Sequence, residues 1–326
     1  MRLGVISGRQ LGQAINWTTL GPPLEDALAA LPGSTLVLPP PLRRGNLRAA
    51  RPGWLAAIRT VRRCDVVFWI QGHLRPETAV WATAYMHPLA RRSTMIYDAF
   101  EPGIDPIGRI ADAQRLLVTF VNFREAAQAL AARFPRSRFD WLPFGFDGDV
   151  FRDLGLRRDI YAYWMGRRHE PLHERLKEHC SRRGLTYRYT QRAGEFADPH
   201  DLNRVIARSR YFVVTPTNLD NPARSGSFSP FVMRYLEGLA AGSRLLGVLP
   251  NREEYGALLP FEAIVECAAD GFDVERVLDE ADADPDAEAK REQARDLVHR
   301  EHRWERRART IHDRLSQLMD AEDAAA

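Results

Sequence analysis

Apolar positions fall along the chain in two alternating rhythms. Short runs, Leu3 to Ile6, Thr35 to Leu38, Val66 to Ile70, Thr94 to Tyr97 and Leu116 to Val121, are separated by helical stretches such as Pro23 to Leu31 and Trp54 to Arg62. Such alternation predicts βαβ units on a parallel sheet. A turn-rich link from Phe144 to Asp153 interrupts the rhythm. It restarts with strands at Tyr161 to Met165, Leu185 to Tyr189, Tyr211 to Thr215, Arg244 to Val248 and Ala263 to Cys267, with helices over 171–183, 200–209, 230–241 and 252–259. The expected fold class is therefore α/β, two Rossmann-like doubly wound domains facing across a cleft, the first over 1–150 and the second over 151–304. Ligands of such sheets gather at the carboxyl ends of the strands.

The acidic stretch Asp270 to Glu288 reads as a solvated face carrying one helix, Val274 to Ala281. From Ala287 to Met319 the stripe Leu297, Trp304, Ala308, Ile311 and Leu315 predicts one long helix, or two with a bend near Trp304. The segment from about 305 to 326 is expected to pack back on the first domain, because such a stripe must be buried against something.

Composition narrows the class. With 326 residues, 45% hydrophobic and 27% charged, the chain is globular, and no apolar run approaches the roughly 18 residues of a membrane span. The opening Met1 to Gly8 reads as a first strand and glycine loop, not a secretory leader, so a cytoplasmic protein is expected, with at most peripheral membrane contact. Cys64, Cys180 and Cys267 form no CxxC pair and suit neither a disulfide framework nor a zinc ribbon. Lys177 and Lys290 are the only lysines, so the basic side is carried by arginine, whose planar fork suits phosphate. Net charge is only +3 and the basic residues are interspersed with acids, so no nucleic-acid partner is expected.

Four motifs carry candidate chemistry. His169-Glu170-Pro171-Leu172-His173 matches the HExxH of zinc enzymes, but a proline cannot sit inside the helix that chemistry needs, and Pro171 reads as the start of a helix. Asp147-Gly148-Asp149 has the spacing of a cation-binding DxD, yet in a link it reads better as an asx-rich turn. Gly8-Arg9-Gln10-Leu11-Gly12 after the first strand is either a ligand-side loop or a plain turn. In Ser225 to Gly242, Ser229 reads as an N-cap, Pro230 as the first helical residue and Gly242 as the stop, so the helix N-terminus with Ser225, Gly226 and Ser227 makes an anion site. Glu237, two turns on, could accept both hydroxyls of a ribose. The other reading pairs it with Arg234 on the surface.

These residues resemble the GT-B glycosyltransferases of the family 4 type, the glycosyl transferases group 1. Arg234 to Gly242 resembles the family's nucleotide-sugar helix, Trp141 to Phe151 its crossing into the second domain, Tyr163 to Arg167 that domain's strand-glycine start, and His302 to Ala308 its terminal helix. The resemblance implies transfer of a sugar from a nucleotide-diphosphate sugar to a small-molecule or glycan acceptor, without metal or resident cofactor. Implied donor-binding residues are Gly8, Gly12, Arg167, Arg168, Ser227, Ser229, Phe231, Val232 and Glu237. His73, Asp98 and Glu101 are the implied catalytic candidates, at strand ends of the first domain. Ser229 stands where the family's EX7E pattern has its first acid. A nucleotide-sugar epimerase of the same fold and a non-catalytic nucleotide-sugar-binding protein are the competing readings.

Overall fold

The computed structural model describes residues 1–9, 21–40, 47–72, 78–191, 195, 196 and 198–325. The candidates His73 and Gly12 lie outside the described residues. The chain divides into two compact units, Met1–Pro143 with Trp304–Ala326, and Phe144–Arg303.

In unit 1 the elements run β1 (Leu3–Ile6), α1 (Gly21–Ala29), β2 (Ser34–Val37), α2 (Leu47–Val61), β3 (Val66–Gly72), α3 (Thr78–Ala84), β4 (Arg91–Tyr97), a 3-10 turn over Glu101–Gly103, α4 (Ile104–Gln114), β5 (Thr119–Val121), α5 (Arg124–Arg133) and β6 (Phe139–Trp141). Among the described residues they form a six-stranded parallel sheet ordered β2-β1-β3-β4-β5-β6, with Leu3 opposite both Ser34 and Val66. The central strands β1 and β5 are buried throughout, while the edge strands β2 and β6 are partly open. That is the burial expected of a parallel sheet covered on both faces. The order reverses between β1 and β3, the position at which parallel sheets of this kind generally bind ligands.

Unit 2 continues with β7 (Ile160–Trp164), α6 (Glu170–Arg182), β8 (Tyr187–Tyr189), α7 (Pro199–Ala207), β9 (Ser209–Val214), the single turns α8 (Thr217–Asp220) and α9 (Pro222–Ser225), α10 (Arg234–Ala240), β10 (Arg244–Gly247), α11 (Arg252–Gly256), β11 (Ile264–Glu266), α12 (Val274–Ala283) and α13 (Ala287–Glu301). Its parallel sheet is ordered β11-β10-β9-β7-β8 and reverses between β7 and β9. The two faces carry separate apolar clusters, one around Phe212, Tyr235, Leu239 and Tyr255, the other around Trp164, Leu172, Leu176 and Leu278.

The boundary falls at Pro143, earlier than residue 150. Phe146 and Phe151 are buried in the second unit's core, and Phe146 N donates to His302 O at 3.2 Å. The same bond breaks the terminal helix: with the His302 carbonyl taken and His302 Nε2 2.9 Å from Leu258 O, α13 stops at Glu301 and α14 (Trp304–Ala325) starts afresh.

α14 is part of unit 1. Trp304, Ala308, Ile311 and Leu315 are buried, Trp304 lies 6.3 Å from the Tyr97 ring, and α14 packs beside α1. Arg307 Nε donates to Pro143 O at 2.9 Å, and Arg314 pairs with Asp140 at 2.7 Å beside the edge strand β6. Trp304→Ala should therefore cost about 3–5 kcal/mol, the usual range for a buried aromatic. Denaturant unfolding measures it, and a loss below about 1 kcal/mol would show that the stripe is not what holds α14.

Candidate functional site

The carboxyl ends of β7 and β9 place the predicted donor residues of unit 2. β7 ends at Trp164, whose Nε1 donates to Arg167 O at 3.0 Å and so folds the chain back at Gly166, which takes φ +81°. Gly166 and Arg167 are exposed. Arg168 is half-buried, donates to Thr190 O at 2.7 Å and stacks over the Tyr189 ring. It is thus tied to the edge strand β8.

The predicted helix start needs correction. α10 begins at Arg234, not Pro230, and Ser229 is not its N-cap; Met233 is, with no side-chain cap. Residues 229–231 are drawn away by backbone bonds to the segment around α11: Asn251 N donates to Ser229 O at 2.6 Å and Phe231 N to Glu254 Oε2 at 3.2 Å. The Phe231 amide is therefore engaged, and its ring stacks on Tyr235 at 5.0 Å and packs on Tyr255. Phe231 is a core residue and does not offer the ligand contact expected of it. Ser227 is exposed, Ser229 and Val232 half-buried, and Ser225 is buried with its Oγ donating to Asn221 O. An anion site built on free amides of a long helix is not present at Pro230.

Glu237 is the strongest feature. It is 3% exposed, and its Oε2 has no hydrogen-bond partner among the described residues. Burial pushes its carboxyl up to about 7, with Arg234 pulling the other way. The next residue explains the burial: a Cβ on Gly238 would stand 2.5 Å from Phe212 Cδ1 and 2.9 Å from Leu245 Cδ2, so glycine lets α10 lie flush on β9 and β10. The alternative of a surface pair with Arg234 does not hold. Arg234 Nη1 instead donates to Met165 O at 3.1 Å, and Nη2 lies 3.6 Å from Asp220 Oδ2.

In unit 1, Gly8 is half-buried just after β1. Asp98 follows β4 with φ +56°, a left-handed conformation that a non-glycine residue holds at a cost of order 1–3 kcal/mol. Glu101 opens the 3-10 turn; both acids are half-buried. Sequence reasoning missed Glu25. It is 5% exposed, accepts from Ser7 Oγ at 2.5 Å and from Arg9 Nη2 at 3.0 Å, and burial raises its carboxyl against those two partners. The 18-residue gap between Ser7 and Glu25 hides the pairing from any local pattern.

The two metal motifs dissolve into local structure. His169 N-caps α6, with Pro171 in its first turn, and His169 Nδ1 sits 3.2 Å from Leu219 O, while His173 Nδ1 meets Tyr187 Oη at 2.7 Å. Glu170, His173 and Glu174 do bring ligand atoms within 4.8 Å of one another, but both glutamates are exposed and His169 is not among them. Asp147 Oδ1 accepts from Asp149 N and Val150 N, and Asp149 pairs with Arg303, which makes DGD a turn.

Residues 164–313 match the family described as glycosyl transferase-like, a span that opens at the end of β7 and takes in α10. That span carries a glycosyl transferase-like domain, and the whole chain has the GT-B fold. Among solved structures the chain is similar to sucrose-phosphate synthase from Thermosynechococcus elongatus, with 13% identity, TM-score 0.59, and 98% of this chain and 100% of that chain covered. HepE from Anabaena in complex with UDP gives 11% identity, TM-score 0.60, and 97% and 100% coverage. A glycosyltransferase from Rickettsia africae gives 12% identity, TM-score 0.57, and 98% of each chain. At these identities the likeness concerns the fold. No curated protein matches the sequence significantly. Among the described residues, no helix of the GT-B chain is long and apolar enough to cross a membrane.

The raised carboxyl has a thermodynamic consequence. Ionisation of Glu237 costs the fold nothing below its unfolded value near 4.5, and stability is lost as pH rises from there to about 7, because the unfolded chain ionises first. Glu237→Gln should leave the Tm of the unliganded protein unchanged near pH 4.5 and stabilise it by on the order of 2–3 kcal/mol at about pH 8.5. Equal Tm values at both pH values would mean that the carboxylate is solvated.

Proposed function

We propose that this protein transfers a sugar from a nucleotide-diphosphate sugar to an acceptor hydroxyl, and that Glu237 holds the donor ribose. The observation that carries the reading is Glu237 itself. A carboxylate buried with an unpartnered oxygen is costly unless a ligand supplies donors, and two ribose hydroxyls are such donors. Its position on α10, inside the segment that matches the glycosyl transferase-like family, supports this. So does the presence of UDP, and of UDP-glucose, in the HepE structures. Arg167, exposed after Gly166, is placed to meet charge on the departing diphosphate, the usual demand of such a reaction. Gly8, Arg168, Ser227, Ser229 and Val232 remain donor-side candidates. The acceptor proton is assigned to His73, Asp98 or Glu101 on the family resemblance. The reading places the reaction in the cytoplasm, with no resident cofactor.

Binding gives the direct test. Glu237→Ala should weaken a nucleotide sugar by about tenfold to a hundredfold, roughly the 1.5–3 kcal/mol of a charge-assisted bond, while the protein stays folded. Wild-type affinity should also rise between about pH 5 and 7 as the carboxylate forms, and Glu237→Gln should flatten that profile. Unchanged calorimetric affinity in Glu237→Ala would remove the residue from the site.

Transfer is expected to survive chelators, since arginine charge does the work often given to a divalent ion. Loss of activity on EDTA treatment with recovery on added Mg2+ or Mn2+ would overturn that. Ser229, at the family's first acidic position, favours a second reading in which the protein binds nucleotide sugars without turnover. Release of free sugar from a radiolabelled nucleotide sugar decides against it.

A further inference from the structure

The reversal between β7 and β9 holds a cation that its helical spacing alone would leave on the surface. Arg234, the first residue of α10, donates Nη1 to the Met165 carbonyl and faces Asp220 through Nη2. Asp220 is itself built in. Its side chain is fully buried, it accepts from Thr215 Oγ1 at 2.9 Å, and its Oδ2 has no hydrogen-bond partner among the described residues. Burial raises its carboxyl, opposed first by Arg234 and then by Thr215. Arg234 is different: its side chain keeps 15% exposure. A guanidinium carries five N–H donors, and among the described residues Arg234 makes one hydrogen bond, to the Met165 carbonyl, and one ion pair, with Asp220.

What lies beside that fork is open backbone. A Cβ built on Gly166 would sit 3.9 Å from Arg234 Nη1 and, among the described residues, meet nothing else within 4 Å. The φ of +81° there keeps the position for glycine. A ligand can thus approach the main chain at Gly166 and the guanidinium together. One turn further along α10, three residues on and so on the same side of the helix, stands Glu237 with its unpartnered buried oxygen. A cation fixed in its plane and a buried acceptor one turn away match the two ends of a nucleoside diphosphate, phosphate at one and ribose hydroxyls at the other.

We propose that Arg234 binds the diphosphate of the nucleotide and that Asp220 is its positioning residue. The proposal rests on reading unit 2 as a nucleotide-sugar site. It draws on side chains, not on helix amides: the buried acid sets the orientation of the guanidinium before the ligand arrives, so that a two-point contact to phosphate oxygens costs little further ordering.

The test is calorimetric titration of the full chain with UDP, GDP, ADP and dTDP, and with the matching nucleosides, for wild type, Arg234→Gln, Arg234→Lys and Asp220→Asn. Nucleoside affinity should stay within about threefold of wild type, while the advantage of diphosphate over nucleoside falls at least about tenfold in Arg234→Gln and several-fold in Arg234→Lys and Asp220→Asn. A merely structural role would weaken nucleoside and diphosphate alike. If Arg234→Gln does not fold, Arg234→Lys, which keeps the charge, carries the test. An unchanged diphosphate advantage in the folded Arg234 variants overturns the proposal, and an unchanged one in Asp220→Asn alone strikes out the positioning role. A wild-type protein that binds none of these compounds overturns the nucleotide reading and this proposal with it. Glu237→Ala separates the two: if it leaves every affinity unchanged while the Arg234 variants lose the diphosphate advantage, the ribose assignment fails and the phosphate assignment stands.

Discussion

Parallel strands cannot be joined by tight turns, so each connection in both units must leave the sheet, cross one face and return, and the helices that make the crossing bury that face. Covering both faces then requires the strand order to reverse once, which it does between β1 and β3 in unit 1 and between β7 and β9 in unit 2. In sheets of this kind a reversal is where ligands generally bind, outside the strands' carboxyl ends. The candidate chemistry of unit 2 collects there: Gly166 and Arg167 after β7, Thr215 and Asp220 after β9, and Arg234 returning over both. In unit 1 the Ser7, Arg9 and Glu25 cluster follows β1, one of the two strands at that unit's reversal.

The short helix α10 links this architecture to chemistry. It is seven residues long, well below the length at which an isolated helix is stable, so its place is set from outside. At its start Arg234 is held by the Met165 carbonyl and faces Asp220. Beyond its end Gly242, at φ +80°, passes close to Asp153, and Arg291 binds both the Gly242 carbonyl and the Asp153 carboxylate at 3.0 Å. Burial would raise Asp153, but the Gly155 amide with Arg291 and Arg158 holds it below the ordinary carboxylate range. Between these anchors Gly238 presses the helix on the sheet, and Glu237 is buried as a result. That burial is what raises its carboxyl.

Much of this is legible in the pattern of residues alone. The two-rhythm pattern yields the strands and most crossover helices because strand and helix periods differ, and Pro171 argues against the zinc motif because a proline belongs in a helix's first turn. The start of α10 is not legible in the same way. Ser229 and Pro230 have every local preference for a helix start, yet the Asn251 amide and the Glu254 carboxylate, each more than twenty residues later, claim the backbone of Ser229 and Phe231. Local propensity is worth about a kcal/mol at a cap, and buried hydrogen bonds to a distant segment outweigh it.

Glu25 and Asp220 show the limit from the other side. Nothing near either residue in sequence distinguishes it from a solvated acid, and its meaning comes from Ser7 and Arg9 in one case and Arg234 in the other. The sequence by itself determined the α/β class, the two sheets and the stripe that buries α14, because these follow from periodicity. The tertiary structure alone decided where α10 begins, where the first unit ends, which arginine turns towards the reversal of the second sheet and which acids are taken out of water. Those outcomes depend on hydrogen bonds and burial between residues far apart in sequence, a competition that no local pattern records.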